Sequence, residues 1–445
     1  PLDEQLEKIV IDLWEDLQQA HKFGSLIRLE EKFSIKLHGL VKEEGITLFT
    51  EENLKNYEEF RTNFFTNLQK AVAQNTAKQG QTFLNTKTQD AITFLQLLTQ
   101  KYDVAVANPP YTDRADFGPE LKKFVEANYK QPYKFNTNLY ATFIKRCCEI
   151  IDDKGKVAMV HPPTFMYIKT FEDVRKFMLD KMHISLFVEW GYLGMFHQSA
   201  RVDAAMYILE KEPKDIPVQF IKLNHIYEGR RYNAFVEAYD KLITNHQHTN
   251  NYTLPQEKLK IIEGWPFIYW ISDGFREKFK GNVLKRKAKI ISGIKTGNNE
   301  CTLRFWWELN IKEGNEDWSL YTKGGPYNKW FGNVWLLVDS KNQFKKIKQQ
   351  NSFNLPKDEF LFKEGITYNG SGNKGVSFRY LSKSELFDMG ASAIFSDNSI
   401  ALLGILNTKL IYYITDCLNP TVNKQPNDIE RIPFVIPISK IENTI

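Results

Sequence analysis

Apolar residues recur at helical spacing through the first hundred positions. Leu6, Ile9, Val10, Leu13, Trp14 and Leu17 share a face, and further amphipathic stretches run over residues 54–72 and 91–98. The pattern changes at Tyr102. Residues 104–107 are a short apolar run, the signature of a strand covered on both faces. Strand and helix then alternate. A helix is predicted over residues 138–151 with a stop at 153–155, a strand over 156–160, and a helix over 170–182 opened by a Thr170/Asp173 capping pair. Two more strands follow at 185–190 and 204–209. This order predicts an α/β fold, the second half of a doubly wound sheet. Beyond Pro213 the periodicity weakens, and residues 244–251 read as a polar linker. From Trp265 onward short β-like runs mix with aromatics, glycines and basic residues, and residues 401–416 read as one helix. The expected organisation is a helical segment (1–100), an α/β half-domain (101–212), a connecting segment (213–262) and an α+β domain (263–445).

Composition bounds the reading without deciding it. The 445 residues are long enough for two or three domains, and 42% hydrophobic with 25% charged residues supports sizeable cores. The net charge of +5 is only mildly basic, weak evidence for a nucleic-acid partner. Four cysteines, Cys147, Cys148, Cys301 and Cys417, lack metal-ligand spacing, and the histidines are scattered, so no metal site is expected. This cysteine usage fits a reducing, cytoplasmic setting. No apolar run approaches the roughly 20 residues of a membrane span, and Pro1 opens no signal peptide.

Chemistry concentrates at Asn108-Pro109-Pro110-Tyr111, directly after the 104–107 strand. The two prolines remove two backbone donors and fix two φ angles, and Asn108 is held extended by the proline that follows it. Open α/β sheets bind ligands at the carboxyl ends of their strands. There, the Asn108 side-chain oxygen and the Pro109 carbonyl can both accept from an exocyclic amine. Two acceptors draw the amine nitrogen toward sp³ character and aim its lone pair at an electrophilic methyl group. Tyr111 can stack on a base, a contact worth about 1–3 kcal/mol. The alternative is a proline-rich turn after a core strand. Phe143, one element further on, is either a core residue or a cover for the adenine ring of a cofactor. Phe196, in the turn between the last two strands, is either a satellite core residue or the second wall around an extruded base. His161, in a His-Pro-Pro turn, is read as structural.

In the second half, residues 292–299 form a glycine- and amide-rich loop. Lys295, Thr296 and Asn298 there either grip phosphate or belong to an ordinary tight turn. Arg304, Trp306, Trp307, Lys323, Lys329, Trp330 and Arg379 make a basic–aromatic mixture suited to a nucleic-acid backbone and bases, and equally found on plain β-rich surfaces.

Together these segments resemble the γ-type amino-methyltransferases that methylate N6 of adenine in DNA, and among them the methyltransferases of BREX phage-defence systems. The likeness is carried by residues 23–27, 102–111, 138–143, 191–209, 292–307 and 362–367, and by Leu406-Asn407-Thr408 with Asn419-Pro420. It implies a Rossmann-like methyltransferase half-sheet with a C-terminal target-recognition domain, and double-stranded DNA as partner. It also implies S-adenosylmethionine as methyl donor, bordered by Asn108, Pro110 and Phe143. Asn108, Pro109, Tyr111 and Phe196 would hold the flipped adenine. The glycine-rich cofactor loop of that family has no counterpart before Tyr102, so a missing N-terminal half, or other phage-defence subunits, is expected to complete the site. A non-catalytic DNA-recognition module is the alternative.

Overall fold

The computed structural model describes residues 20–28, 96–193, 195–196, 201–309 and 317–434, with residues 62, 66, 70, 90 and 92–94 besides. Most of the helices expected before residue 90, and the His197-Gln198 end of the turn after Phe196, lie outside these residues. Two compact units result, one of residues 1–162 and 176–251, the other of 163–175 and 252–445.

The first unit is built on strands β1 to β5 of a sheet ordered β1-β2-β4-β3-β5-β6. The strands are β1 (Tyr102–Ala107), β2 (Ile151–His161), β3 (Met182–Tyr192), β4 (Asp203–Lys211), β5 (Val218–Lys222) and β6 (Asn251–Leu254). β1 runs parallel to β2, with Ala105 opposite Val157 and Ala107 opposite Met159. β4 lies antiparallel between β2 and β3, and β3 is parallel to β5. The predicted strands are therefore present and longer than expected. Gly155 explains how β2 begins so close to the preceding helix: a Cβ there would sit 2.9 Å from the Tyr102 carbonyl oxygen and 2.7 Å from the Ile151 Cβ.

Helix α1 (Pro119–Tyr129) carries Pro119 in its first turn, where a missing N–H costs nothing. Helix α2 (Leu139–Ile150) buries Leu139, Tyr140, Ala141, Thr142, Ile144, Arg146, Cys147 and Cys148. The adjacent cysteines are core thiols, and burial pushes the Cys147 thiol up to about 11. Residues 23–28 dock on these helices: Phe23 stacks on Phe124 at 4.1 Å, Arg146 Nε donates to the Ser25 carbonyl, and Arg28 makes a two-pronged contact with Glu149. Helix α3 is Glu172–Lys181, preceded by a 3₁₀ turn, Lys169–Phe171, where the longer helix was expected.

Three expectations change. First, β1 is not covered on both faces. Val104 and Val106 are 56% and 77% exposed, and among the described residues nothing packs over them. Second, residues 213–262 do more than connect. They supply β5, β6 and the 16-residue helix α4 (Glu228–Ile243), and the boundary between units falls at Asn251/Tyr252. Third, the single helix expected over 401–416 is two, α5 (Ser399–Leu406) and α6 (Lys409–Leu418), bent by 74°. The break is made by side chains that compete with the helix ladder. Asn407 accepts from the Phe378 N–H at 3.2 Å and donates to its carbonyl at 2.9 Å, while the Thr408 hydroxyl caps α6 by accepting from Ile411 N.

The second unit contains two four-stranded sheets. One has the order β13-β9-β10-β8, from Glu385–Phe387, Trp318–Thr322, Leu336–Asp339 and Leu303–Phe305. The other has the order β12-β11-β14-β7, from Phe378–Leu381, Gly365–Tyr368, Ala393–Phe395 and Lys289–Ile291. α5 and α6 cover one face of the second sheet through Leu402, Leu406, Ile411 and Ile414, packed with Ile366, Tyr368 and Phe378. Helices and strands mix as expected for residues 263–445, in a unit whose residues are 163–175 and 252–445. No single helix among the described residues is long and apolar enough to cross a membrane.

Candidate active site and nucleic-acid interface

Parallel pairing of β1 and β2 puts Asn108 and His161 at the same end of the sheet. Asn108 is exposed, Pro109 is buried, Pro110 is exposed and Tyr111 is half-buried. The turn is closed by its own side chains. The Tyr111 hydroxyl donates to Asn108 Oδ1 at 2.6 Å, so the amide oxygen expected to accept from an amine already accepts one bond. Burial raises the Tyr111 hydroxyl above the usual tyrosine range, which keeps it a donor at neutral pH.

Asn138 anchors this turn to α2. Its Oδ1 caps the helix by accepting from Tyr140 N at 3.1 Å. Its amide nitrogen donates to Asp113 Oδ1 at 2.6 Å and reaches the Tyr111 carbonyl at 3.4 Å. Leu139 N adds a bond to the Thr112 carbonyl at 2.9 Å. One buried asparagine thus satisfies a helix end and ties down the loop that carries Tyr111. Sequence reasoning placed Asn138 in a matching segment without giving it this role, although an Asn just before an apolar helical run is a cap signal.

Phe143 is half-buried on a helix whose neighbouring positions are buried, leaving part of its ring accessible. Phe196 is also half-buried. It packs against the cluster of Val188, Trp190, Ala204 and Ile221, and no ring contact joins it to Tyr111 among the described residues. His161 is a core residue. Its Nδ1 lies 3.0 Å from the Pro162 carbonyl, which can only accept, so Nδ1 carries the proton and Nε2 accepts from the Tyr207 hydroxyl at 2.6 Å. The ring stacks on Tyr140 at 4.4 Å, and burial lowers its pKa to about 3.

In the second unit the nominated residues separate. Lys295, Asn298 and Trp306 are exposed, and Arg304, Lys323 and Lys329 are half-buried. Lys295 Nζ donates to Ser352 Oγ, Asn298 caps the short helix Asn299–Thr302, and Lys329 Nζ donates to the Asn407 carbonyl at 2.7 Å. The Arg304 guanidinium donates to the Glu300 and Leu303 carbonyls and lies 5.9 Å from the Trp318 ring. Phe305, Trp306 and Trp307 form an exposed aromatic turn, with Phe305 and Trp307 stacked at 4.5 Å. Two expectations are corrected. Thr296 is buried, its hydroxyl donating to Asn299 Oδ1. Arg379 is fully buried as the cross-strand neighbour of Thr367, and neither residue presents a group at the surface.

The first unit is thus an α/β sheet with one antiparallel strand inserted among parallel neighbours and an Asn-Pro-Pro-Tyr turn at the carboxyl end of β1. Comparison with known proteins says what such a chain is similar to. Residues 10–196 match the family model of the Eco57I restriction-modification methylase. The chain is similar to the adenine-specific methyltransferase BrxX of Escherichia coli O9:H4 (strain HS), at 29% identity over 76% of this chain and 28% of that protein. It is also similar to the adenine-specific methyltransferase PglX of Lacticaseibacillus casei (strain Zhang), at 24% identity over 76% of this chain and 30% of that protein. The matches therefore span under a third of those relatives' own length. Among solved structures, the type IIL restriction-modification enzyme MmeI in complex with DNA aligns over 75% of this chain and 45% of its own, with 8% identity and a TM-score of 0.48.

Proposed function

We propose that this chain carries the base-holding and target-recognition parts of an S-adenosylmethionine-dependent DNA adenine-N6 methyltransferase used in restriction-modification or phage defence. The observation that carries the reading is the Asn108–Tyr111 turn at the end of β1, closed by the Tyr111–Asn108 hydrogen bond and anchored by Asn138. The similarity to adenine-specific methyltransferases supports it.

In this reading an adenine extruded from the duplex enters against Tyr111. Its amine replaces the Tyr111 hydroxyl as donor to Asn108 Oδ1 and also donates to the Pro109 carbonyl. The two acceptors orient the nitrogen lone pair, so catalysis comes from positioning and hydrogen bonding, without a covalent enzyme intermediate. Phe196 would close on the other face of the base.

The residues present fit part of the cofactor. Pro110 is exposed and Phe143 keeps an accessible ring edge, as residues bordering its adenosine would. S-adenosylmethionine would supply an electrophilic methyl group there. No residue of this chain is assigned to its methionine or ribose, in keeping with a site completed by another segment or subunit.

The test is methyl transfer from labelled S-adenosylmethionine to duplex DNA, by the chain alone and within the longer protein or complex. Label on adenine N6 in either case supports the reading, and no transfer in both sinks it. The exposure of Val104 and Val106 favours a second reading, a recognition module whose sheet is only a scaffold. It predicts duplex binding without transfer in either arm.

A further inference from the structure

A cluster of cations in the second unit lies apart from the residues discussed above. The run Lys285-Arg286-Lys287-Ala288-Lys289 lines a cleft of about 440 Å³ whose other walls are Lys363, Phe395, Ser396 and Asp397. Lys285 is held by Glu263 at 2.5 Å. Arg286, Lys287, Lys289 and Lys363 make no ion pair among the described residues, and Asp397 is the one acidic side chain in the lining.

The cleft is also organised. The Lys289 ammonium lies 5.5 Å from the centre of the Phe360 ring. That of Lys363 lies 5.7 Å from Phe360 and 5.6 Å from Phe395. Both phenylalanines belong to one buried cluster, so each of the two cations is held against an aromatic ring fixed in the core. Like charges gathered in this way repel, and a polyanion relieves that repulsion.

Lys289 stands on β7, an edge strand, where lysine also guards against edge-to-edge pairing. That role does not account for Lys287 or for Lys363, which comes from a different part of the chain. The run leaves the 3₁₀ turn Leu284–Arg286 and enters β7 at Lys289, so its cations fan out from a compact turn at the mouth of the cleft.

We infer that this cleft is a sequence-independent anchor for the phosphate backbone of double-stranded DNA. The inference rests on the proposed function and adds a site to it. Lys287, Lys289 and Lys363 neutralise phosphates and position the duplex, while sequence is read elsewhere.

The test is fluorescence anisotropy of the full chain with two duplexes of unrelated sequence, titrated across salt concentrations. Neutralising one phosphate contributes about 0.9 to the slope of log K against log salt. The triple variant Lys287→Ala/Lys289→Ala/Lys363→Ala should therefore flatten the slope by about 2–3 and weaken both duplexes alike. Lys287→Glu alone should weaken both at least tenfold at low salt, with an unchanged melting temperature because its side chain is exposed. An unaltered slope in a folded triple variant, with the wild-type chain binding duplex, overturns the anchor and leaves the proposed function standing. Failure of the wild-type chain to bind any duplex also overturns the anchor, whereas the proposed function falls only if methyl transfer fails both for the chain alone and within the longer protein.

Discussion

At the scale of single residues, the Tyr111 hydroxyl already donates to Asn108 Oδ1, the acceptor that the proposed function gives to an incoming amine. Removing the acceptor and removing the competitor should therefore differ in effect. Asn108→Ala is expected to lower methyl transfer by several orders of magnitude while leaving duplex affinity within about threefold. Tyr111→Phe keeps the stacking ring and loses one hydroxyl bond, worth about 0.5–1.5 kcal/mol. It should change transfer by no more than about tenfold, whereas Tyr111→Ala, which also loses stacking, should weaken the complex further. Single-turnover rates beside binding isotherms separate these outcomes. Arg379 makes the opposite case. Burial lowers its pKa to about 10, its Nε and Nη2 have no partner among the described residues, and its one bond is to Ser377 Oγ at 3.4 Å. Replacing such a charge by an apolar side chain of similar size is commonly neutral or stabilising. Arg379→Met should therefore hold or raise the melting temperature and leave the salt dependence of DNA binding unchanged. A slope flattened by about one would instead mark Arg379 as a phosphate contact.

At the scale of elements, the decisive junction is the start of α2. Asn138 serves the helix end and the Asn108–Tyr111 turn at once, so the two are mechanically one piece. Asn138→Ala should cost about 1–2 kcal/mol for the lost cap. It should also reduce transfer beyond what the stability loss explains, because the Asp113 and Tyr111 contacts go with it. Asn138→Asp keeps the cap acceptor but loses the donor to Asp113, so it should restore the helix end more fully than the transfer rate. Chemical denaturation read beside initial rates checks both. The hinge between α5 and α6 has the same character. Asn407 substitutes for a strand neighbour on Phe378, and Thr408 restarts the helix, so apolar periodicity alone could not place the break.

At the scale of the whole molecule, the sheet depends on a neutral imidazole. His161 is buried between Tyr140 and Tyr207, and its pKa falls from the ordinary 6.5 to about 3. The unfolded chain takes up this proton below about pH 6.5, and the folded chain does so only near pH 3. The stability this group contributes is thus fully present above pH 6.5 and is lost progressively as pH falls toward 3. The loss amounts to a few kcal/mol at about 1.4 kcal/mol per pKa unit. Denaturant midpoints between pH 7 and pH 4 should fall for the wild-type chain and fall less for His161→Gln, which has no proton to gain. An equal fall in both would place the acid sensitivity elsewhere.

Much of the first unit was legible in the chain. The apolar run after Tyr102, the helix opened by Asn138 and the strands on either side of the Phe196 turn are local patterns, set by φ restriction, capping and side-chain periodicity within a few residues. The Asn-Pro-Pro-Tyr turn is local as well, because proline geometry needs no partner. Contacts distant in sequence decided the rest. The 213–262 segment looks like a connector because its strands are short, and only the pairing of β5 to β3, with β6 beyond it, makes them part of the sheet. Val104 and Val106 read as core because residue type does not say whether a face finds a cover. Arg379 and Thr296 read as surface contacts because charge and polarity are written in the chain, but burial is not. The basic cleft shows the same division. The lysine run is visible in the sequence, yet its place with Lys363 in one cleft exists only once β7 and β14 pair. The sequence by itself thus determined which local conformations and chemistries this protein holds. The tertiary structure decided which of them face solvent, and which stand together, because burial and convergence are properties of packing between segments far apart in the chain.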